Sequence, residues 1–182
     1  IYMAIPMGKK SYIWFTYYKD KPICFILELT INKNGIYSIS SEVACFNEEL
    51  CLGNGTIFYG THSIINKYNN FIIEDIYFYK GKSVIKYNVL NRLNIIKEIL
   101  DNYLNSQIFT ENQIIFSLPI INNNLNLLNK TIENSCIYKV YNILQKSLYN
   151  NYVNEIRYYN SQKIILNVSA DNQQDIYNLY TN

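Results

Sequence analysis

The sequence predicts an α+β fold, with antiparallel sheet and packing helices in a single domain over residues 1–182. Two observations carry this. Short apolar runs separated by Asn-, Gly- and Lys-rich turns fill the first half, and a stretch with helical spacing follows at Asn88–Leu104. Composition agrees: hydrophobic residues make up 49 % of the chain, and 30 Ile and 19 Tyr favour sheet and exclude a wholly disordered chain. A chain of 182 residues buries one sizeable core comfortably, not two.

Tyr12–Tyr18 and Ile23–Ile31 read as strands broken at Lys19-Asp20-Lys21-Pro22, with the proline at a strand start. Asn32-Lys33-Asn34-Gly35 leads into Ile36–Phe46; Asn-Gly signals a hairpin because both residues tolerate positive φ. Thr56–Thr61 follows the Gly53-Asn54-Gly55 turn. Asn69-Asn70 precedes Phe71–Tyr79, which Lys80-Gly81-Lys82 turns into Ser83–Ile85, so these strands form an antiparallel meander. Asn88 is the expected N-cap of the next helix. Its stripe Leu90, Leu93, Ile96, Leu100 and Leu104, widened by Ile95 and Ile99, should pack on the sheet. Gln113–Leu118 reads as a strand ended by Pro119, and the Asn-rich run from Asn122 as a loop into a helix at Leu125–Asn134. Cys136–Leu144 fits either strand or helix, and is read as a strand. Ile156–Tyr159 and Lys163–Val168 form an expected hairpin around Asn160-Ser161, and Asp171 caps a short last helix with Gln174 as its capping-box partner.

Formal charge is +2 with 16 % charged residues, which excludes a polybasic nucleic-acid tail. Asn, Ile, Tyr and Lys fill 91 of 182 positions; their A/T-rich codons make this a mark of genome composition rather than of function. No apolar run approaches the roughly 18 residues of a membrane-spanning helix, and no signal peptide is recognisable. The chain starts at Ile1, so a fragment of a longer protein is expected. Cys24, Cys45, Cys51 and Cys136 lack CxxC spacing, which argues against structural zinc and for free thiols in a reducing, intracellular compartment.

Few constellations suggest chemistry. His62 stands alone and reads as a surface loop histidine, and Gly53-Asn54-Gly55 lacks the helix start of a phosphate loop. Glu48-Glu49 and Glu74-Asp75 are adjacent carboxylates, which strand geometry is expected to send to opposite faces. Tyr77-Phe78-Tyr79-Lys80-Gly81-Lys82 interleaves aromatics and cations as single-stranded nucleic-acid platforms do; a strand running into an exposed hairpin tip is the plainer reading.

Thr56-Ile57-Phe58-Tyr59-Gly60-Thr61, then the run Phe71–Val84 with Glu74-Asp75 and Lys80-Gly81, then Asn91-Arg92-Leu93, resemble the middle of mRNA-capping guanylyltransferases. That superfamily also contains the ATP- and NAD-dependent ligases. Order and spacing agree over Leu50–Leu104, and the hairpin Tyr12–Leu29 falls where the family carries its nucleotide-lysine strand pair. More narrowly, the chain resembles capping-enzyme-like proteins of large DNA viruses with A/T-rich genomes. The resemblance implies a nucleotidyltransferase-like fold, Lys9 or Lys10 as the only candidate nucleophiles, and Asp75 and Arg92 as nucleotide-binding positions.

The departures bear on activity. No Asp-Gly follows Lys9 or Lys10, and Tyr59-Gly60-Thr61 stands where the family has Asp-Gly-Glu. The later glutamate-glycine and Lys-x-Lys motifs are not recognisable, and Lys163 lacks its partner lysine. Attack on an α-phosphate needs a deprotonated, in-line amine and metal-bridged phosphates. The resemblance therefore implies a non-catalytic domain, a binding or assembly module in viral mRNA capping or transcription, with no metal site and no cofactor. Two alternatives stay open: an active guanylyltransferase with a divergent lysine, using GTP and Mg or Mn, and a viral structural or interaction protein. Expected partners are viral capping or transcription proteins or RNA, with no membrane and a possible homo- or hetero-oligomer. The expected location is the host cytoplasm, in a viral factory, or the virion.

Overall fold

The apolar runs of the first half form hairpins because their turns accept left-handed backbone. In the computed structural model, which describes residues 1–30, 35–150, 152–158, 166–170 and 177–181, three two-residue links carry positive φ. These are Lys19-Asp20, Asn66-Lys67 and Lys80-Gly81, as type I′ hairpins require. The elements are β1 (Tyr2–Pro6), β2 (Lys9–Tyr18), β3 (Lys21–Leu29), β4 (Ile36–Glu42), a 3₁₀ turn (Glu48–Cys51), β5 (Thr56–Ile65), β6 (Tyr68–Tyr79) and β7 (Lys82–Ser83). They continue with α1 (Val89–Asn102), β8 (Ile114–Ser117), β9 (Ile120–Asn122), α2 (Leu125–Ser135), β10 (Val140–Lys146), β11 (Val153–Arg157), β12 (Leu166–Ala170) and β13 (Tyr177–Thr181). The fold is α+β, built mostly of antiparallel sheet.

A seven-stranded sheet runs β4-β3-β2-β5-β6-β7, with β8 added in parallel along the first half of β6. Its inner face carries Ile13, Phe15, Ile26, Phe58, Phe71, Ile73 and Ile76, all buried, and Ile96 and Ile99 of α1 close over them. Burying each such side chain contributes about 1.5–3 kcal/mol, which makes this face the main source of stability. A second sheet runs β11-β10-β1-β9, and Ala4 and Ile143 on one of its faces pack against Leu128 and Ile132 of α2. Strand alternation turns Met3, Ile5, Asn142 and Lys146 to its other face. Lys146 there reaches the first sheet, donating to the Glu74 carbonyl at 2.9 Å.

Several expectations need correction. β1 and its sheet partners form a layer that the first-half meander did not include. β11 pairs with β10, and β12 pairs with β13, so the expected hairpin between Ile156–Tyr159 and Lys163–Val168 does not form between these strands. The turn Asn160-Ser161, the cap Asp171 with Gln174, and the link Asn32–Asn34 lie outside the described residues; Tyr177–Thr181 is strand. The buried line of α1 is Val89, Arg92, Ile96 and Ile99, with Leu93 and Leu100 flanking it. The helix is thus rotated from the leucine stripe, because Arg92 has a carboxylate to bury against. Its N-cap is Asn88, whose side chain accepts from Asn91 N at 2.8 Å. Cys24 and Cys51 are buried, Cys45 and Cys136 partly so, and all four are free thiols.

Candidate functional site at the junction of the two sheets

The site lies on the outer face of the seven-stranded sheet, where the second sheet begins to cover it. Lys10 pairs with Thr61 in the β2–β5 ladder, and Tyr12 with Tyr59, so alternation puts all four side chains on this face. The β5–β6 register shifts between Tyr59/Gly60: Tyr59 opposes Asp75, Gly60 opposes Ile73, and Glu74 is left as the extra residue of a bulge. Gly60 suits this close approach, since a Cβ there would collide with the Ile72 carbonyl. The bulge sends Glu74 to the same face as Asp75, which corrects the expectation that adjacent strand carboxylates diverge. Regular pairing is what that expectation assumed, and no local residue signal announces the bulge.

Each carboxylate meets its own cation. Lys10 Nζ donates to Glu74 Oε1 at 2.5 Å and to Thr61 Oγ1 at 2.8 Å, and the Thr61 hydroxyl donates to the same Glu74 oxygen at 2.5 Å. Glu74 and Thr61 are buried, and the Lys10 side chain is 18 % exposed. Asp75 takes a bidentate fork from Arg92, Nε to Oδ1 at 2.7 Å and Nη2 to Oδ2 at 3.2 Å. Arg92 Nη1 also donates to the Tyr87 carbonyl at 2.5 Å. Lys146 Nζ stands 3.6 Å from Asp75 Oδ2. The sequence-derived candidates Lys10, Thr61, Asp75 and Arg92 therefore meet in one cluster. Lys9 does not: it lies on the opposite face and pairs with Glu28 at 3.0 Å.

A wall of aromatics continues the face. Tyr12, Tyr59 and Tyr77 form a triad with ring centroids 5.5, 5.6 and 6.1 Å apart, and the Tyr59 and Tyr77 rings are parallel. Burial, then the Glu74 carboxylate, pushes the Tyr59 hydroxyl up from its ordinary value; burial, then Tyr12 and Asp75, pushes Tyr77 up to about 12. Both phenols are therefore neutral donors near pH 7. Beyond the triad opens a groove of about 190 Å³ lined by Tyr12, Trp14, Leu27, Ile57, Tyr77 and Phe78. A second cavity of about 570 Å³ sits by Asn142, Glu155 and Arg157 on the second sheet, where the Asn142 amide donates to Glu155.

The expected platform Tyr77–Lys82 is divided by the structure. Tyr77 and Phe78 line the groove, whereas Lys80 pairs with Glu49 at 2.6 Å and lies over the Tyr103 ring. The Lys80-Gly81 tip is not free either, since Gly81 N donates to the Gly55 carbonyl at 2.8 Å. His62 is a β5 residue, not a loop residue, with Nε2 buried and unpartnered among the described residues. Lys146 and the tyrosine triad were missed by sequence reasoning, and Glu74 entered it as one of two carboxylates expected to diverge. Lys146 is one lysine among 14, and only the stacking of the sheets distinguishes it.

The donor set does not suit a divalent metal, because Glu74 and Asp75 are each engaged by cations that a metal would have to displace. Among the described residues no three His, Cys, Asp or Glu side chains group closely enough to hold one. No helix of the described residues is long and apolar enough to cross a membrane. Chemically, the cluster joins three cations to two carboxylates beside an open aromatic wall. No family profile matches this sequence, and no curated protein matches it.

Proposed function

We propose that this chain is a non-catalytic nucleotidyltransferase-like domain, serving as a binding or assembly module in the mRNA capping or transcription apparatus of a large DNA virus. The reading rests on the motif-like order from Thr56 through Asp75 to Arg92, and one observation carries its non-catalytic part. The Lys10 amine is engaged as a donor to both Glu74 and Thr61, and an ammonium in that triangle offers no lone pair for attack on phosphorus. Lys9, paired with Glu28 across the sheet, is turned away from the same cluster. What remains for binding is the aromatic wall, whose ring faces suit stacking of planar groups.

The test is incubation of the purified chain with α-labelled GTP or ATP and Mg²⁺ or Mn²⁺, followed by a denaturing gel. No labelled band is expected. A band lost in Lys10→Ala or Lys9→Ala overturns the non-catalytic reading. Binding is read in parallel from Trp14, the only tryptophan and a lining residue of the groove. Saturable quenching by GTP or by a short single-stranded RNA is expected for a module that holds nucleotide or RNA; unchanged fluorescence with both overturns that role and leaves protein assembly.

A further inference from the structure

We infer that the chain self-associates through β4, two copies pairing antiparallel about a two-fold axis at Ile39 so that their seven-stranded sheets become continuous. β4 is the outer strand of its sheet and is bonded only to β3 among the described residues. The edge ends where Val43 turns to bridge Gln113. Exposed edges are ordinarily blunted by lysine, proline or an inward charge, because unpaired N–H and C=O groups template another strand. β4 reads Ile36-Tyr37-Ser38-Ile39-Ser40-Ser41-Glu42 and contains none of these toward its middle. Its regular pairing with β3 runs over Ser38–Glu42, and the register shift lies at the far end beside Leu29, so the central backbone is not bent away.

Self-complementarity singles out a second copy as the occupant. With Ile39 on the axis, Ile39 meets its symmetry mate and Ser38 faces Ser40, within the stretch that pairs regularly with β3. No like charges oppose one another, and the only ionisable carboxylate, Glu42, already accepts from Ser40 of its own strand at 3.2 Å. Cross-strand pairs of this kind, Ser with Ser and aliphatic with aliphatic, are favourable in antiparallel ladders. Ile39 is 61 % exposed and lies on the outer face opposite Leu27, a wall of the aromatic groove, and Tyr37, the extra residue at the register shift, is 77 % exposed. Pairing would cover them and extend that apolar face across the axis, an isologous contact that closes on itself as a dimer.

Light scattering on the purified chain over roughly a hundredfold concentration range should show a monomer–dimer equilibrium, since dimer population follows mass action. Ile39→Lys, with a melt matching the parent, is expected to abolish the dimer. Should that variant fail to fold, Ile39→Cys decides: a mild oxidant should link two copies through residue 39, whereas Val43→Cys, off the axis, should not link. A monomer at every concentration overturns the inference. So does a dimer that survives Ile39→Lys, or an Ile39→Cys variant that links no faster than the Val43→Cys control.

Discussion

Arg92 occupies a buried position on α1 that an aliphatic side chain would fill in an ordinary amphipathic helix, and it is held there by Asp75. The guanidinium makes two parallel bonds to that carboxylate and further bonds to the Ile85 and Tyr87 carbonyls, a planar pattern that a lysine ammonium cannot reproduce. Arg92→Lys should therefore cost about 1–3 kcal/mol and lower the thermal midpoint, because part of a buried hydrogen-bonded pair is left unmade. An unchanged melt would show that Asp75 needs no fork. Asp75 and Arg92 were legible as candidate positions in the order Glu74-Asp75 then Asn91-Arg92-Leu93, and Arg92, the only arginine before residue 157, is the one side chain there with a planar fork for a carboxylate. His62 was misjudged for lack of any signal of burial. Burial is the main cause holding its imidazole below the ordinary 6.5, with Lys9 adding to it and Glu42 and Glu28 opposing. With the folded value below the unfolded one, the unfolded chain binds the proton first as pH falls. The contribution is complete above about pH 6.5 and is lost as pH drops from there through the lowered folded value. Thermal melts from pH 8 to 5 should show this decline, and His62→Asn should flatten it; equal slopes in the two proteins would exclude His62 as the cause.

Helix α1 carries the clearest stability prediction among the elements. Ile96 is fully buried against the inner face of the sheet, so Ile96→Asp would place a lone carboxylate in the core. That costs several kcal/mol against a total stability of about 5–15, and loss of the cooperative near-ultraviolet transition is expected. A variant that melts like the parent would remove α1 from the core. The existence of α1, and of β2, β3, β5 and β6, was legible because periodicity and turn chemistry are local properties. Where α1 points was less so, since the leucines alone suggest a face that the Arg92–Asp75 pair rotates. β1 was missed for a different reason. Tyr2–Pro6 is five residues long and gains its partners β9 and β10 from positions over a hundred residues away. The bulge at Glu74 is likewise set by how β5 and β6 fit, and it decides which carboxylates reach the site.

At the scale of the whole molecule, two sheets meet over a small polar seam, and the Lys146 side chain crosses it. Its ammonium, only 7 % exposed, donates to the Glu74 carbonyl at 2.9 Å and stands 3.6 Å from Asp75. The bulge that turns Glu74 and Asp75 to the outer face supplies the acceptors to which the second sheet docks, so the candidate site and the sheet junction are one structure. Lys146→Met keeps most of the side-chain volume but leaves the Glu74 carbonyl without its donor. The expected cost is about 1–3 kcal/mol for an unmade buried bond. For a chain of this size that corresponds to a fall of roughly 2–4 °C in Tm per kcal/mol. The exposed neighbour control Lys139→Met should change little. Because the lost bond joins layers rather than strands, the amides of β1 and β10 should lose exchange protection while those of β2 and β3 keep theirs. Uniform loss across both sheets would instead mean that the two unfold as one unit and that Lys146 stabilises them together. A melt and an exchange pattern both identical to the parent would show that the sheets hold together without the Lys146 bonds.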